Sequence, residues 1–128
     1  MATVLNNKLG SGITGTPLSN VSFSNGVSSI VGEINLPAGT FLIFAAFTLR
    51  KNMVDPGTIA NVSIENLVSC SLHRTTSENI ITDAWDTKSL VASYSGTGGV
   101  LRCYTTIYSR NMQTDAVVCL YIRAVQLK

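Results

Sequence analysis

The sequence predicts an all-β domain built as an antiparallel sandwich, and three observations carry that expectation. Val, Ile and Thr number 12, 10 and 14 among 128 residues, and these side chains suit a pleated, half-buried surface. Charged residues make up 12% of the chain against 45% hydrophobic, and the polar share is filled by 14 Ser and 10 Asn. A helical bundle would be rich in Ala, Glu, Lys, Leu and Arg, whereas only four Lys and three Glu occur here. Finally, no segment sustains apolar residues at 3.6 spacing between caps; seven to nine extended runs are instead separated by turn signals.

The elements follow in order. Residues 1–20, with Gly10, Gly12, Gly15 and Pro17, read as a weakly ordered lead-in arm, and residues 21–128 as the β-rich body. Ser28–Leu36 is the first clear strand, carrying Ile30, Val31, Ile34 and Leu36. Pro37-Ala38-Gly39 turns the chain, because Pro has no ladder donor and Gly tolerates positive φ. Gly39–Arg50 is a long strand, Asn52–Gly57 a turn, and Ile59–Leu72 one or two strands. Residues 74–89 are the most polar stretch and read as a loop with a short strand. Leu90–Tyr94 and Val100–Tyr108 are strands around the turn Ser95–Gly99. Ser109–Asp115 turns the chain into a last strand, Ala116–Leu127.

Two of these strands break the sandwich pattern. A strand with one wet face alternates apolar and polar. Gly39–Arg50 carries Phe41, Ile43 and Phe47 on one face and Leu42 and Phe44 on the other. At period two, the last strand carries Val118, Leu120, Ile122 and Ala124 on one face. Its other face carries Val117, Cys119, Tyr121, Val125 and Leu127. A strand apolar on both faces must be covered on both, and 128 residues leave little material for a third layer. Neighbouring subunits are the expected cover.

A net charge of +2 leaves no basic footprint for nucleic acid, and high hydrophobicity with low charge excludes a disordered chain. The run Phe41–Phe47 is too short to span a bilayer. Met1–Gly10 has neither the basic nor the apolar region of a signal peptide. At 13.6 kDa the chain fits one domain.

The search for chemistry yields few candidates. His73 is the single histidine and lies near a strand end. The nucleophile-elbow and phosphate-loop patterns are absent, so neither catalysis nor a cofactor is expected. Cys70, Cys103 and Cys119 lie in strand-like runs with no C-x-x-C spacing. They read as buried free thiols, with a Cys103–Cys119 bridge between neighbouring strands as the alternative. Asp83 and Asp86, with Glu78 nearby, lack calcium-loop spacing. Trp85 lies between Asp83 and Asp86; an aromatic ring beside carboxylates suits sugar recognition, the ring stacking on the sugar's apolar face while the carboxylates accept hydroxyl hydrogen bonds. The bland alternative is a ring folded back on the sandwich edge. The Asn20 and Asn61 sequons read as chance in so Asn/Ser/Thr-rich a chain.

The segment Gly32-Glu33-Ile34-Asn35-Leu36-Pro37-Ala38-Gly39-Thr40-Phe41-Leu42-Ile43 resembles a recurring phrase of C1q/TNF-like jelly rolls. The ending Leu120-Tyr121-Ile122-Arg123-Ala124-Val125-Gln126-Leu127-Lys128 resembles the closing strand of such domains at the tips of bacteriophage tail fibres and receptor-binding proteins. The resemblance covers residues 28–50 and 100–128 and is weak over 51–99. It implies a jelly roll of the ten-strand type that forms a homotrimer. Leu42, Phe44, Tyr121, Val125 and Leu127 would then face the trimer, and Phe41, Ile43, Phe47, Leu120 and Ile122 the sandwich core. Arg123 departs from this pattern, because a charge on the trimer-facing phase must be paired or solvated.

The expected function is that of a non-enzymatic virion surface protein, a tail-fibre tip in contact with other virion proteins. It would attach to a host-surface glycan or other receptor through Asp83, Trp85 and Asp86. A structural capsid or decoration protein, or a non-viral secreted C1q-like adhesion module, is the alternative.

Overall fold

Among the described residues, nine strands turn the period-two pattern into two sheets. The structure, a computed structural model, describes residues 12–50, 58–73, 84–108 and 116–128, with the backbone alone for 84 and 85. The strands are β1 (Gly12–Thr14), β2 (Thr16–Pro17), β3 (Ser28–Leu36), β4 (Gly39–Arg50), β5 (Ile59–Ile64), β6 (Val68–His73), β7 (Ala84–Gly96), β8 (Gly99–Tyr108) and β9 (Ala116–Gln126). Among the described residues there is no helix. A front sheet has the order β1-β9-β4-β7 and a back sheet the order β2-β3-β8-β5-β6.

The winding of the chain makes this a jelly roll. β5 pairs with β6, β4 with β7, β3 with β8, and β1 with β9, all antiparallel. These are the rungs of one long hairpin whose tip is β5–β6. Successive rungs fall alternately in the back and front sheets, so the hairpin is rolled around the core. Rolling creates the two further pairings, β4 with β9 and β5 with β8.

The interior is filled from both sheets. Front strand β4 contributes Phe41, Ile43, Ala45, Phe47 and Leu49. Back strands contribute Val31, Ile34 and Leu36 from β3, Ala60, Val62 and Ile64 from β5, and Cys103 and Ile107 from β8. Thr105 is buried among them, and its hydroxyl donates to the Asn61 carbonyl at 2.9 Å. That bond satisfies a group that would otherwise cost stability in an apolar interior.

Turns lock the two ends of the sandwich. At the β3–β4 turn, Leu36–Ala38 packs onto Gly98, which has φ +93°. A Cβ there would lie 2.6 Å from the Leu36 oxygen and 2.8 Å from the Pro37 carbonyl carbon. The Gly98 N–H donates to the Tyr94 hydroxyl at 3.0 Å, and the Tyr94 ring packs at 6.4 Å, tilted, on Phe41. At the β5–β6 turn, Glu65 adopts φ +45°, a left-handed conformation that costs a non-glycine residue about 1–2 kcal/mol. Two bonds to Arg102 hold it there. The Glu65 N–H donates to the Arg102 carbonyl at 2.8 Å, and the Arg102 N–H donates to Glu65 Oε1 at 2.8 Å.

Three features differ from the sequence expectation. Residues 12–17, within the expected lead-in arm, form β1 and β2. The first pairs with β9 in the front sheet and the second with β3 in the back sheet. The Gly15 N–H between them donates to the Ile122 carbonyl at 2.7 Å, so the chain crosses from one sheet to the other at this residue. Secondly, β7 starts at Ala84, inside the stretch expected to be mostly loop.

Thirdly, the expected core residue Leu120 is 45% exposed. The partner of Ala46 is Tyr121, yet the partner of Phe47 is Cys119. Leu120 is therefore the extra residue of a β-bulge, and a bulge resets the alternation. Before it, Val117 and Cys119 face the core and Val118 lies opposite Thr48 on the outer face; after it, Ile122 and Ala124 face the core. The period-two reading had placed Val117 and Cys119 on the same face as Tyr121.

The three thiols are free. Cys103 and Cys119 are buried on β8 and β9, in opposing sheets rather than on neighbouring strands. A hydrogen bond with Cys119, then burial, push the Cys103 thiol well above its ordinary range. Burial also raises Cys70.

Two substitutions probe this core and its turn. Phe47→Ala removes a fully buried ring and is expected to lower the unfolding free energy by about 3–5 kcal/mol. Gly98→Ala puts a methyl group against backbone atoms at positive φ and is expected to cost about 1–3 kcal/mol. Urea titration with an unchanged slope checks both.

Candidate functional site

The outer faces of the two sheets differ in chemistry. On the back sheet the outward positions are Glu33 and Asn35 on β3, Asn61 and Ser63 on β5, Ser69 and Ser71 on β6, and Arg102, Tyr104 and Thr106 on β8, together with the exposed apolar residues Ile30, Ile59, Val100 and Tyr108. Most are polar, and several bond one another: Arg102 Nε lies 3.9 Å from Glu33 Oε2, and the Ser71 hydroxyl donates to Asn61 Oδ1 at 2.9 Å.

On the front sheet the outward residues run in cross-strand rows. Val125, Leu42 and Ser93 form one row; Thr14, Arg123, Phe44 and Val91 the next; Tyr121, Ala46 and Ser89 the third. Val91 is 52% exposed and Tyr121 37%, while Leu42, Phe44 and Val125 are half-buried. The ladder continues past β9, where the Leu127 N–H donates to the Thr40 carbonyl at 2.7 Å, leaving the Leu127 side chain exposed on the same side. All five residues expected at a subunit interface thus lie on one side of one sheet, and the structure joins them edge to edge. The structure also adds Val91, opposite Phe44.

Arg123 sits in the middle of this apolar face. Its guanidinium carbon lies 4.9 Å from the centroid of the Tyr121 ring, within cation–π range. Among the described residues no carboxylate pairs with it. The aliphatic stem can lie along apolar surface while the planar head stacks on the ring. A shallow groove of about 530 Å³ runs beside it, lined by Gly12, Thr14, Phe44, Arg123 and Val125 among others. β1 supplies one wall, so the arm completes the groove.

The expected receptor residues divide. Asp83 lies outside the described residues. Trp85 lies at the start of β7, where Leu49 pairs with Asp86 and Arg50 with Ala84, making Trp85 the extra residue of a second bulge. Asp86 makes structural bonds. Its carboxylate accepts the His73 N–H at 3.1 Å and lies 3.6 Å from Lys88 Nζ, and its carbonyl accepts the Thr48 hydroxyl at 3.1 Å. It therefore ties the end of β6, in the back sheet, to β7, in the front sheet. Among the described residues no group of three or more His, Cys, Asp or Glu is placed to hold a metal ion, and no helix is long and apolar enough to cross a membrane.

The sequence reading missed Val91 and the β1 wall for different reasons. Leu90-Val91-Ala92 is apolar throughout, which was a sufficient signal once β7 was paired with β4. Gly12 and Thr14 carry no apolar signal, and backbone pairing alone recruits them.

No family model matches the sequence, and no curated protein matches it. Solved structures share the fold. Eiger TNF from S. frugiperda superposes with a TM-score of 0.51 at 11% identity, covering 94% of this chain and 94% of that one. Dimeric latent PorU from Porphyromonas gingivalis superposes with a TM-score of 0.51 at 18% identity over 93% of this chain, which spans only 12% of the PorU chain. The C-terminal CBM6 of LamC, a laminarinase from Zobellia galactanivorans, matches over 91% of each chain with a TM-score of 0.38 and 16% identity. The chain has a jelly-roll β-sandwich fold of the kind found in Eiger TNF.

Proposed function

We propose that the chain is a homotrimeric surface-attachment module without catalytic activity of its own. In this reading three copies pack through the outer face of the front sheet. The assembly forms the tip of a virion tail fibre, contacts other virion proteins and binds a host-surface glycan.

The contrast between the two outer faces carries the proposal. The back face sets Ile30, Ile59, Val100 and Tyr108 among polar groups that bond one another, while the front face joins Leu42, Phe44, Val91, Tyr121, Val125 and Leu127 in adjacent cross-strand rows around Arg123. Contiguous exposed apolar patches mark contact surfaces. Closed point-group symmetry is how most soluble chains cover such a patch, and the C1q/TNF-like resemblance of residues 28–50 and 100–128 supports a three-fold arrangement. Glycan attachment rests on the sequence, where Trp85 is flanked by Asp83 and Asp86, an aromatic residue next to carboxylates.

Light scattering at micromolar concentration is expected to give three times the 13.6 kDa of the chain. Phe44→Asp combined with Val91→Asp is expected to weaken association by roughly 100-fold or more, with a far-ultraviolet circular dichroism spectrum unchanged. A monomeric wild-type chain would refute the trimer.

Glycan-array binding by the trimer tests the attachment role. Trp85→Ala is expected to abolish binding to whichever glycan is captured while the trimer mass persists. Equal binding by wild type and variant, or no glycan captured, would remove Trp85 or glycan attachment respectively.

A further inference from the structure

Cys103 and Cys119 meet across the core. Cys103 lies on β8 of the back sheet, where its cross-strand partner is Gly32 of β3. Cys119 lies on β9 of the front sheet and points at that pair. A Cβ built on Gly32 would stand 3.1 Å from Cys119 Sγ and 3.6 Å from Cys119 Cβ. The absence of a side chain at Gly32 is what lets the Cys119 sulfur reach the back sheet. The two thiols are close enough to perturb one another, Cys119 raising the Cys103 thiol, and Cys119 Sγ donates to the Tyr121 carbonyl at 3.4 Å. Both side chains are buried. Cys70, on β6, has no such partner among the described cysteines.

Two further observations give the pair a use. Cys119 lies directly beside the Leu120 bulge, where the β4–β9 register shifts, so it sits where the front-sheet ladder is interrupted. It also lines a cleft of about 380 Å³ formed with Leu18, Val21, Phe23 and Val117, which brings solvent to within one side chain of the pair.

We propose that Cys103 and Cys119 form a disulfide that staples the two sheets together when the chain folds in an oxidising environment, with Cys70 remaining a free thiol. The oxidant is a small-molecule disulfide such as glutathione disulfide. The Sγ–Sγ bond forms as the S–S bond of the oxidant breaks. Two electrons pass from the protein thiols to the oxidant, and the two thiol protons end on the two glutathione thiols released. Under reducing conditions the same residues stay a buried pair of free thiols, so the staple reports the compartment in which the chain folded.

Peptide mapping of the full chain tests this directly. The chain is refolded in a mixture of reduced and oxidised glutathione, its free thiols are alkylated under denaturing conditions, and trypsin is added. Peptide Cys103–Arg110 is expected to be linked to Asn111–Arg123, and Asn52–Arg74 to carry the alkyl group on Cys70. Three alkylated cysteines, or a bridge that includes Cys70, would overturn the proposal. Closing the loop from 103 to 119 should raise the melting temperature of the oxidised chain by about 10 °C over the reduced chain. Cys70→Ser should keep that difference and Cys103→Ser should lose it. A difference that persists in Cys103→Ser would refute the assignment even if the mapping were incomplete.

Discussion

Strand β4 is the constraint on which the molecule depends. It is hydrogen-bonded along nearly its whole length on both edges, to β7 and to β9. It also presents apolar side chains to both sides. One side is settled within the chain, where Phe41, Ile43, Phe47 and Leu49 are fully buried. Ladder pairing on both edges forbids the strand from rotating to hide the other side, because a slip of one residue would send the whole core set outward. Leu42 and Phe44 are thus fixed on the surface by the burial of their neighbours. The outer apolar face is a consequence of the core and not an independent feature.

The bulge at Leu120 extends this logic to β9. Without it, the phase that buries Ile122 and Ala124 would also bury Val118 and Leu120 and expose Val117 and Cys119. The extra residue lets Val117, Cys119, Ile122 and Ala124 all face inward along one strand. Leu120 is left exposed, and the cost is modest because an exposed leucine forfeits only its own burial, about 1.5–3 kcal/mol at most. Cys119 gains from the shift, since the inward phase is what brings its sulfur over Gly32.

Legibility in the sequence followed hydrophobic demand. Ser28–Leu36 and Gly39–Arg50 were readable to the residue because core strands carry continuous apolar signals bounded by Pro37 and Gly39. The five residues expected at a subunit interface are readable as outward-facing because an uncovered face shows as a second apolar phase. β1 and β2 were not readable. They are edge strands of three and two residues that join through backbone bonds, and backbone groups are the same for every sequence. The first half of β7 was hidden in the same way: Asp86, Thr87, Lys88 and Ser89 lie on an edge strand, where polar side chains are tolerated and guard against unwanted pairing. A bulge leaves no mark in composition or period, so the phase of β9 was lost at Leu120. Asp86 stands out in the sequence beside Trp85, but its carboxylate bonds the His73 N–H across the two sheets, a contact between segments distant in sequence that no local pattern announces.

Arg123 is the residue through which the fold and the proposed assembly meet. A charge buried between subunits costs several kcal/mol unless it is paired or hydrogen-bonded, so an arginine amid Phe44, Val125 and Leu42 would argue against burying this face completely. Its stacking on Tyr121 offers a resolution. The guanidinium is more weakly hydrated than an ammonium and lies flat on an aromatic ring, so its stem and ring edge can join the apolar contact while its N–H groups stay at the groove lined by Gly12 and Thr14. Three copies of that groove around an axis would keep three guanidinium groups in water. The apolar residues on either side would then supply the association energy, and the ring of arginines would set the register and reject a closer, fully dry packing.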